Sequence, residues 1–270
     1  MTTPTQDKPE TVLVERDGSI ATVILNRPEK LNALTLEMWA GVGTAMKMLD
    51  GDESLRCVVL RGAGDKAMGP GADITEFGEV RSNSAQAETY GATMHGSMAA
   101  IRDCRHPVIA LIRGLCVGGA LELALMCDMR VCGDSSRFGV PINRLGLVMA
   151  YPEIQALVSV VGPAVAMEIL FEARVFGAEE AFAKGLVNRV VADDRVEAEV
   201  YGIAARIAEG APLVNRWHKR FIRRAVAGIG PAKSLSADEI AEGYACYDTE
   251  DFKEGVRAFL AKDKPAFKGK

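Results

Sequence analysis

The chain has 270 residues, of which 49% are hydrophobic and 25% charged, and its formal net charge is −4. This is the composition of a soluble globular protein, without the basic block that typically binds nucleic acid. Glycine, proline or charged residues interrupt the longest apolar runs, so we expect no transmembrane helix. We therefore predict a cytoplasmic protein that has neither nucleic acid nor a membrane as a partner.

The cysteines and histidines indicate neither disulfides nor a metal centre. The six cysteines include no Cys-x-x-Cys pair, and most lie inside apolar runs. Buried, reduced thiols are the expected state of such residues. The three histidines do not cluster and form no His-Glu-x-x-His pattern, so we predict no metal site.

The first elements along the chain are a tail, a hairpin and a capped helix. Residues 1–10 are polar and contain proline, which predicts a flexible tail. Residues 11–16 and 20–25 predict two strands joined by an Asp17-Gly18 turn, a strong hairpin signal. Thr35 is a predicted N-cap, because an apolar pattern of helical period follows it.

Short apolar runs and helical segments alternate through the middle of the chain. A helix is predicted over residues 85–104, and another ends near Met126. This alternation is typical of an α/β layer structure with strands buried on both faces. The predicted strands are residues 57–60, 108–112, 129–132 and 187–191.

From residue 193 the pattern is helical and charged. Pro212 and Pro231 lie where helices are expected to start. We predict that residues 11–192 form the core of the fold. Residues 193–270 are expected to form a helical appendage that makes subunit contacts.

Two glycine-rich loops follow predicted buried strands. Residues 62–67 match a GxGxxA pattern, but the next four, Met-Gly-Pro-Gly, cannot continue as a helix, which argues against a dinucleotide site. The second loop contains Gly114, Gly118 and Gly119 and opens a helix. If the loops meet at one sheet edge, two backbone N–H groups can bind one carbonyl oxygen as an oxyanion hole. The residues alone leave the alternative, tight turns without function, equally open.

Longer segments resemble one family. NRPEKLNAL (26–34), VVLRGAGDKAMGPGADI (58–74) and GLCVGGALELALMCDMRV (114–131) resemble the most characteristic segments of the enoyl-CoA hydratase/isomerase (crotonase) family, in order and spacing. FGVPINRLGL (138–147) and EGVRAFLAKDKPAF (254–267) extend the resemblance over nearly the whole chain after the tail. The resemblance implies a spiral of ββα units followed by a helical trimerisation region, and a homotrimer or hexamer.

The resemblance also implies an acyl-CoA thioester as substrate, with no separate cofactor because coenzyme A is part of that substrate. The backbone amides of Ala72 and Gly119 are the implied oxyanion hole, which stabilises a thioester enolate. Glu122 is the implied acid/base, and it is the only acid in residues 117–126. Burial in such a stretch raises a carboxyl pKa and suits proton transfer. The alternative is a glutamate that only complements the helix dipole.

Further residues are implied to bind the substrate. Arg27, Lys30 and Lys66 fall in segments that line the CoA site in relatives, with solvated surface charge as the alternative. Lys262, in the C-terminal helix, is implied to reach the CoA of a neighbouring subunit. The other residues assigned to the substrate site are Gly71, Asp73, Ile74, Gly118, Ile142 and Tyr151.

The chain departs from the family pattern at one functional position. Relatives read FGxPE where this chain has Ile142, so the second glutamate of a hydratase is absent. Hydration by two glutamates holds a water between both acids, and we therefore favour a one-acid proton transfer such as double-bond isomerisation. Tyr151 and His95 are candidates for a further group, and packing or structural roles are their alternatives.

We predict an acyl-CoA-processing enzyme, a hydratase or isomerase, in fatty-acid or related acyl-CoA metabolism. One alternative is a non-catalytic acyl-CoA-binding protein on the same scaffold. The missing second acid favours that alternative, and the retained Glu122 argues against it. A structural trimeric scaffold without a ligand is a third possibility and requires a filled pocket.

Overall fold

The computed structural model describes residues 10–227 and 236–270. The predicted tail lies outside the described residues except for its last residue, Glu10, and Pro231 lies outside them too. The described strands are β1 (Val12–Asp17), β2 (Ile20–Leu25), β3 (Cys57–Gly62), β4 (Ala67–Gly69), β5 (Val108–Ile112), β6 (Leu115–Val117), β7 (Met129–Gly133), β8 (Arg137–Gly139), β9 (Phe176–Gly177) and β10 (Arg189–Val191). The described helices are α1 (Leu36–Asp50), α2 (Phe77–Val80), α3 (Ser84–Asp103), α4 (Gly119–Met126), α5 (Tyr151–Glu172), α6 (Ala178–Ala183), α7 (Val196–Glu209), α8 (Pro212–Val226), α9 (Ala237–Glu242) and α10 (Glu250–Ala261).

The N-terminal elements form as their sequence predicts. β1 and β2 pair antiparallel with Asp17 opposite Ile20, so the turn consists of Gly18 and Ser19. Gly18 has a φ of 56°, which glycine adopts without strain. The Thr35 hydroxyl accepts a hydrogen bond from the Met38 amide at 3.2 Å and caps α1.

The larger sheet has the order β1-β2-β3-β5-β7-β10, and its strands from β2 onward run parallel. Side chains along β3 and β5 alternate between two separate apolar clusters, as strand geometry requires. Val58 and Val108 pack on the side of α1 and α3, whereas Val59 and Ile109 pack on the other side. The mixed α/β architecture confirms the predicted fold class.

α7 covers the second face of this sheet. Val196, Val200 and Ile203 are buried in the cluster that contains Val59 and Ile109. The expectation that residues 193–270 have no role in the core is therefore wrong for α7. The many charged residues of α7 made its short apolar stripe hard to recognise in the sequence. This stripe is sufficient to cover one face of the sheet.

A smaller sheet with the order β4-β6-β8-β9 lies beside the larger one. β4, β6 and β8 run parallel to one another, so their carboxyl ends lie at the same edge. These strands have three residues each, and β4 and β6 lie inside the two glycine-rich loops. β10 also starts later than predicted, at Arg189, because Val187 packs into the core before the strand begins.

α5 combines two helical stretches across a kink. Gly162 has a non-helical φ of 76° and precedes Pro163, which explains the kink. The Gly162-Pro163 pair kinks the helix without ending it. In the described part of the chain, α5 is the one helix that has the length and apolar composition needed to cross a membrane. Only 17% of its most apolar stretch is buried within this chain. The absence of a membrane partner thus remains a prediction.

Candidate active site

The two glycine loops meet because the strands before them are parallel neighbours. Gly69 at the end of β4 lies opposite Cys116 in β6, so both chains leave the sheet at one edge. A methyl group built on Gly71 would lie 3.4 Å from the amide nitrogen of Gly119. Gly71 and Gly118 have φ values of 112° and 51°, conformations that favour glycine. These glycines thus allow a close approach of two backbones, beyond making tight turns.

Two backbone amides at this meeting point have no protein acceptor. The loop at Ala72 is held on both sides, because Leu34 donates to the Gly71 carbonyl at 2.9 Å and Asp73 donates to the Leu34 carbonyl at 2.8 Å. Across residues 10–227 and 236–270, no acceptor is found for the N–H of Ala72 or of Gly119. Gly119 is the first residue of α4, where helix amides lack intrahelical partners.

A cavity of about 390 Å³ opens beside these amides. Its size is at the lower end of that of small-molecule pockets. Eight residues assigned to the site from sequence line it, namely Gly71, Ala72, Asp73, Ile74, Gly118, Gly119, Glu122 and Ile142. Most of the rest of the lining is apolar, including Trp39, Phe77, Met94, Val140, Leu145 and Leu147. The arrangement suits a ligand with an apolar chain and one strong hydrogen-bond acceptor.

Glu122 is the buried acid of this cavity. It lies one turn into α4, a helix whose residues are all buried, and is itself 5% exposed. Burial, and then the charge of Glu153, raise its pKa to about 8, whereas the charge of Arg81 acts in the opposite direction. No hydrogen bond reaches the Glu122 carboxyl from any described residue. At neutral pH the carboxyl is therefore mostly protonated and available to a ligand.

Glu153 is a second buried carboxylate in the same cavity, and our sequence analysis missed it. It is 4% exposed, and it lies in the first turn of α5. Its Oε1 lies 2.8 Å from Nε2 of His95, and its Oε2 accepts a hydrogen bond from the Ala150 amide at 2.8 Å. The sequence does contain a signal, since Glu153 is the only charged residue between Arg144 and Glu168. The same isolation in an apolar stretch singled out Glu122.

His95 and Tyr151 were both proposed as further groups, and the structure separates them. His95, on α3, contacts a buried carboxylate of the cavity through the bond to Glu153. Tyr151 is 90% exposed and does not line the cavity. The first turn of α5 places Glu153 in the cavity wall instead, and contact of Tyr151 with another part of the substrate stays a prediction.

Ile142 lies in the cavity wall, at the edge where β8 ends. It is partly buried and packs against the core, so it supplies no proton-accepting group. Asn143 next to it donates to the carbonyls of Leu170 and Phe171 at 3.1 and 3.2 Å. Asn143 is not part of the cavity wall.

The basic residues assigned to CoA do not line this cavity. Arg27 instead stabilises the first loop, since its Nη1 donates to Asp73 at 3.0 Å and to the Ala33 carbonyl at 2.8 Å. Hydrogen bonds from Thr75 and from Arg27 lower the pKa of Asp73. Lys30, Lys66 and Lys262 are exposed. Contact of these lysines with the CoA part of a ligand stays a prediction.

Aromatic residues and Arg81 form a further part of the cavity wall. The Trp39 indole N–H donates to the Tyr90 hydroxyl at 2.9 Å, which fixes the indole beside the cavity. The Arg81 guanidinium lies 5.1 Å from the Phe77 ring centroid and 5.0 Å from that of Tyr90. A methyl group on Gly119 would lie 2.9 Å from the Trp39 ring, so glycine is required there too.

The cysteines test the prediction of buried, reduced thiols, and the arrangement of possible ligands bears on the prediction that there is no metal site. All six cysteines are free, and only Cys246 among them is not buried, which confirms the buried thiols. Within the described ranges, no group of three or more His, Cys, Asp and Glu residues is arranged to hold a metal ion. The absence of a metal and of a separate cofactor remains a prediction.

The model of the family described as Enoyl-CoA hydratase/isomerase matches residues 15–270 of the chain. The chain is 33% identical over 259 residues to the Crotonyl-CoA hydratase of Syntrophomonas wolfei subsp. wolfei, covering 96% of this chain and 98% of that protein. It is 30% identical over 274 residues to the peroxisomal Delta(3,5)-Delta(2,4)-dienoyl-CoA isomerase of Arabidopsis thaliana, covering 96% of each.

A solved structure agrees with these sequence comparisons. The crystal structure of an enoyl-CoA hydratase/carnithine racemase from Magnetospirillum magneticum superposes with a TM-score of 0.94 at 50% identity, covering 97% of each chain. The similarity thus includes both the fold and the sequence. Because these proteins are named for different reactions, they do not by themselves define one reaction for this chain.

Proposed function

The chain belongs to the enoyl-CoA hydratase/isomerase family, and on that premise we propose that it is an acyl-CoA enzyme that moves protons next to a thioester carbonyl. The single observation that carries this proposal is the position of Glu122. Its buried carboxyl lines the same cavity as Ala72 and Gly119, whose backbone N–H groups have no protein acceptor.

The two amides supply the electrostatic part of the mechanism. The N–H groups of Ala72 and Gly119 donate to the thioester oxygen and stabilise the negative charge that develops there when Cα loses a proton. The positive end of the α4 dipole adds to this stabilisation, because Gly119 is the first residue of that helix. Both groups are fixed by the backbone before substrate arrives, so they need little reorganisation.

Glu122 supplies the proton transfer, and isomerisation of a double bond is the reaction we favour. The ionised carboxylate takes a proton from Cα of a 3-enoyl thioester, and the electron pair spreads onto the thioester oxygen as a dienolate. Return of the proton to Cγ gives the 2-enoyl thioester and regenerates the carboxylate. One acid/base group is sufficient for this sequence.

Hydration is the second candidate reaction. The observation that favours it is the place of Glu153, which lines the same cavity as Glu122 and is equally buried. A hydratase needs one group to take a proton from water and another to protonate Cα. The family pattern supplies no such second acid at Ile142.

We extend the proposal to the assembly and surroundings of the enzyme. A homotrimer or hexamer is supported by exposed apolar side chains on α5 and α10, such as Phe171 and Phe259. Free, buried cysteines support a reducing, cytoplasmic location. Acyl-CoA metabolism, such as that of fatty acids, is the process in which such an activity belongs.

Turnover of a panel of 2-enoyl- and 3-enoyl-CoA thioesters tests the function. We expect turnover by the wild type and a loss of about 10²–10⁴-fold in Glu122→Gln, with binding retained. Binding without turnover of any member would instead support the non-catalytic acyl-CoA-binding protein. Absence of binding to every acyl-CoA across a chain-length series, measured by calorimetry, would contradict the proposed function altogether.

A further inference from the structure

Two carboxyl groups with different surroundings share the substrate cavity. Glu122 comes from α4 and makes no hydrogen bond among the described residues, whereas Glu153 comes from α5 and has two hydrogen-bond partners. Both are nearly excluded from solvent, at 5% and 4% exposed. Because Glu153 contributes to the raised pKa of Glu122, the two charges lie close enough to interact. Burial thus favours the protonated form of Glu122, the group without a hydrogen-bond partner.

The partners of Glu153 hold its carboxylate in one orientation. The Ala150 amide donates to Oε2, and Oε1 lies 2.8 Å from Nε2 of His95. The His95 side chain is 30% exposed and reaches Glu153 from α3, 58 residues away in sequence. Each oxygen of the carboxyl group therefore has a partner, and the two partners come from different parts of the chain.

We propose that Glu153 is the second acid/base group of this site, that it replaces the glutamate absent at Ile142, and that His95 is its positioning residue. This inference rests on the proposed acyl-CoA chemistry at Glu122. It assigns hydration of a 2-enoyl thioester to the chain, in addition to proton transfer at Cα.

The step balances with water as the only co-reactant. Glu153 accepts one proton of a water molecule while the water oxygen forms a bond to Cβ of the 2-enoyl thioester. The electrons of the carbon–carbon double bond move toward the thioester oxygen, which the Ala72 and Gly119 amides hold, and Cα then takes the proton of Glu122. The product is a 3-hydroxyacyl thioester, and solvent exchange returns the proton from Glu153 to Glu122.

A purely structural role for Glu153 is the competing explanation. Its bond to the Ala150 amide is half of a capping arrangement at the start of α5. Gln performs the same capping function as Glu, so Glu153→Gln preserves this bond and removes only the ionisable group. Glu239 provides a matched control, because it occupies the same position in the capping box of α9 and does not line the cavity.

The test compares two reactions of the same folded variants. Exchange of the Cα protons of butyryl-CoA into D₂O requires Glu122 and the two amides but no second acid. Hydration of a chain-length series of 2-enoyl-CoA thioesters requires both acids. We expect Glu153→Gln to keep the exchange rate or increase it, and to lower hydration by about 10²–10⁴-fold. Glu239→Gln is expected to change neither.

His95 variants test the positioning role. His95→Leu is expected to lower kcat for hydration with little change in KM, and His95→Gln, which keeps an N–H donor, is expected to restore part of it. Equal effects of both variants on exchange and hydration would overturn this role.

The outcomes separate the inference from the function on which it rests. Absence of both exchange and hydration in the wild type contradicts the proposed function, and the inference with it. Exchange without hydration in the wild type overturns the inference alone. So does a Glu153→Gln variant that hydrates as fast as the wild type, or one in which exchange and hydration fall together.

Discussion

The backbones of Gly71 and Gly119 approach so closely that a methyl group on Gly71 would lie 3.4 Å from the Gly119 amide nitrogen. Gly71 comes from the loop after β4, and Gly119 begins α4 after β6. The approach places two unpartnered N–H groups beside the carboxyl of Glu122. The proposed chemistry depends on this one meeting of two loops.

Gly71→Ala is expected to disrupt this meeting. The φ of 112° is strained for alanine, so we expect a loss of about 1–3 kcal/mol in the free energy of unfolding and a strong loss of turnover. Gly64→Ala is the matched control, since Gly64 also has a positive φ, 74°, but a methyl group there meets only Pro28, at 3.9 Å. Urea denaturation and turnover measurements should show destabilisation in both variants and loss of turnover only in Gly71→Ala.

The buried Glu122 carboxyl makes stability depend on pH. Its pKa rises from 4.5 to about 8 in the folded protein, so its contribution is fully present below the unfolded value and is lost as pH rises through about 8. Glu122→Gln has no charge to bury. We therefore expect the variant to gain stability relative to the wild type between about pH 5 and about pH 9, measured by urea denaturation. A constant difference across this range would contradict the raised pKa.

The activity should report the same pKa. In isomerisation the reactive form of Glu122 is ionised, so kcat/KM is expected to rise with pH and level off above about 8. The charged side chains that line the cavity with Glu122 are Asp73, Arg81 and Glu153, and His95 contacts Glu153. Of these, Glu153 and Arg81 act on the pKa of Glu122. Glu153→Gln removes a negative charge and should move the midpoint down, whereas Arg81→Met should move it up.

Opposite shifts in these two variants are the critical result. Arg206→Met serves as the control, because it removes a positive charge from α7, on the far side of the larger sheet. Its midpoint should equal that of the wild type. Shifts of Glu153→Gln and Arg81→Met in the same direction would show that charge near Glu122 does not control the profile.

Self-association is expected from the exposed apolar side chains of α10. Phe259 and Leu260 are 84% and 76% exposed on the isolated chain, more than a monomer normally leaves to solvent in one place. Light scattering should give the mass of a trimer or hexamer, and Phe259→Asp should reduce it. Met48→Asp, which changes an apolar residue that is 59% exposed on α1, should leave the mass unchanged. A wild-type monomer at micromolar concentration would contradict the assembly.

The sequence predicted the elements that carry strong local patterns. The capped helix after Thr35, the hairpin and the buried strand β5 each formed within a residue or two of their expected ends. β4, β6 and β8 were missed because three residues give no period to detect, and pairing within the sheet stabilises them instead. The contact between His95 and Glu153 could not be predicted either, because it joins two helices whose residues are 58 positions apart in the sequence.

The part of the candidate site that consists of backbone groups was predicted from the sequence. The glycines pointed to the two loops, because glycine permits a close approach of two backbones. The family resemblance, and not the glycines alone, implied the amides of Ala72 and Gly119. The side chains were harder to assign. Tyr151 and Glu153 lie two residues apart at the start of α5, and only the helix geometry decides which one faces the cavity.

Proton exchange at Cα is the sharpest test of the roles proposed for the oxyanion hole and Glu122, because it requires both but no particular overall reaction. Butyryl-CoA is incubated in D₂O with the wild type and with Glu122→Gln, and deuterium at Cα is followed by mass spectrometry. We expect exchange by the wild type and a rate about 10²–10⁴-fold lower in Glu122→Gln, with the thioester still bound. No exchange of a bound acyl-CoA by the wild type, or equal exchange by both proteins, would contradict these roles.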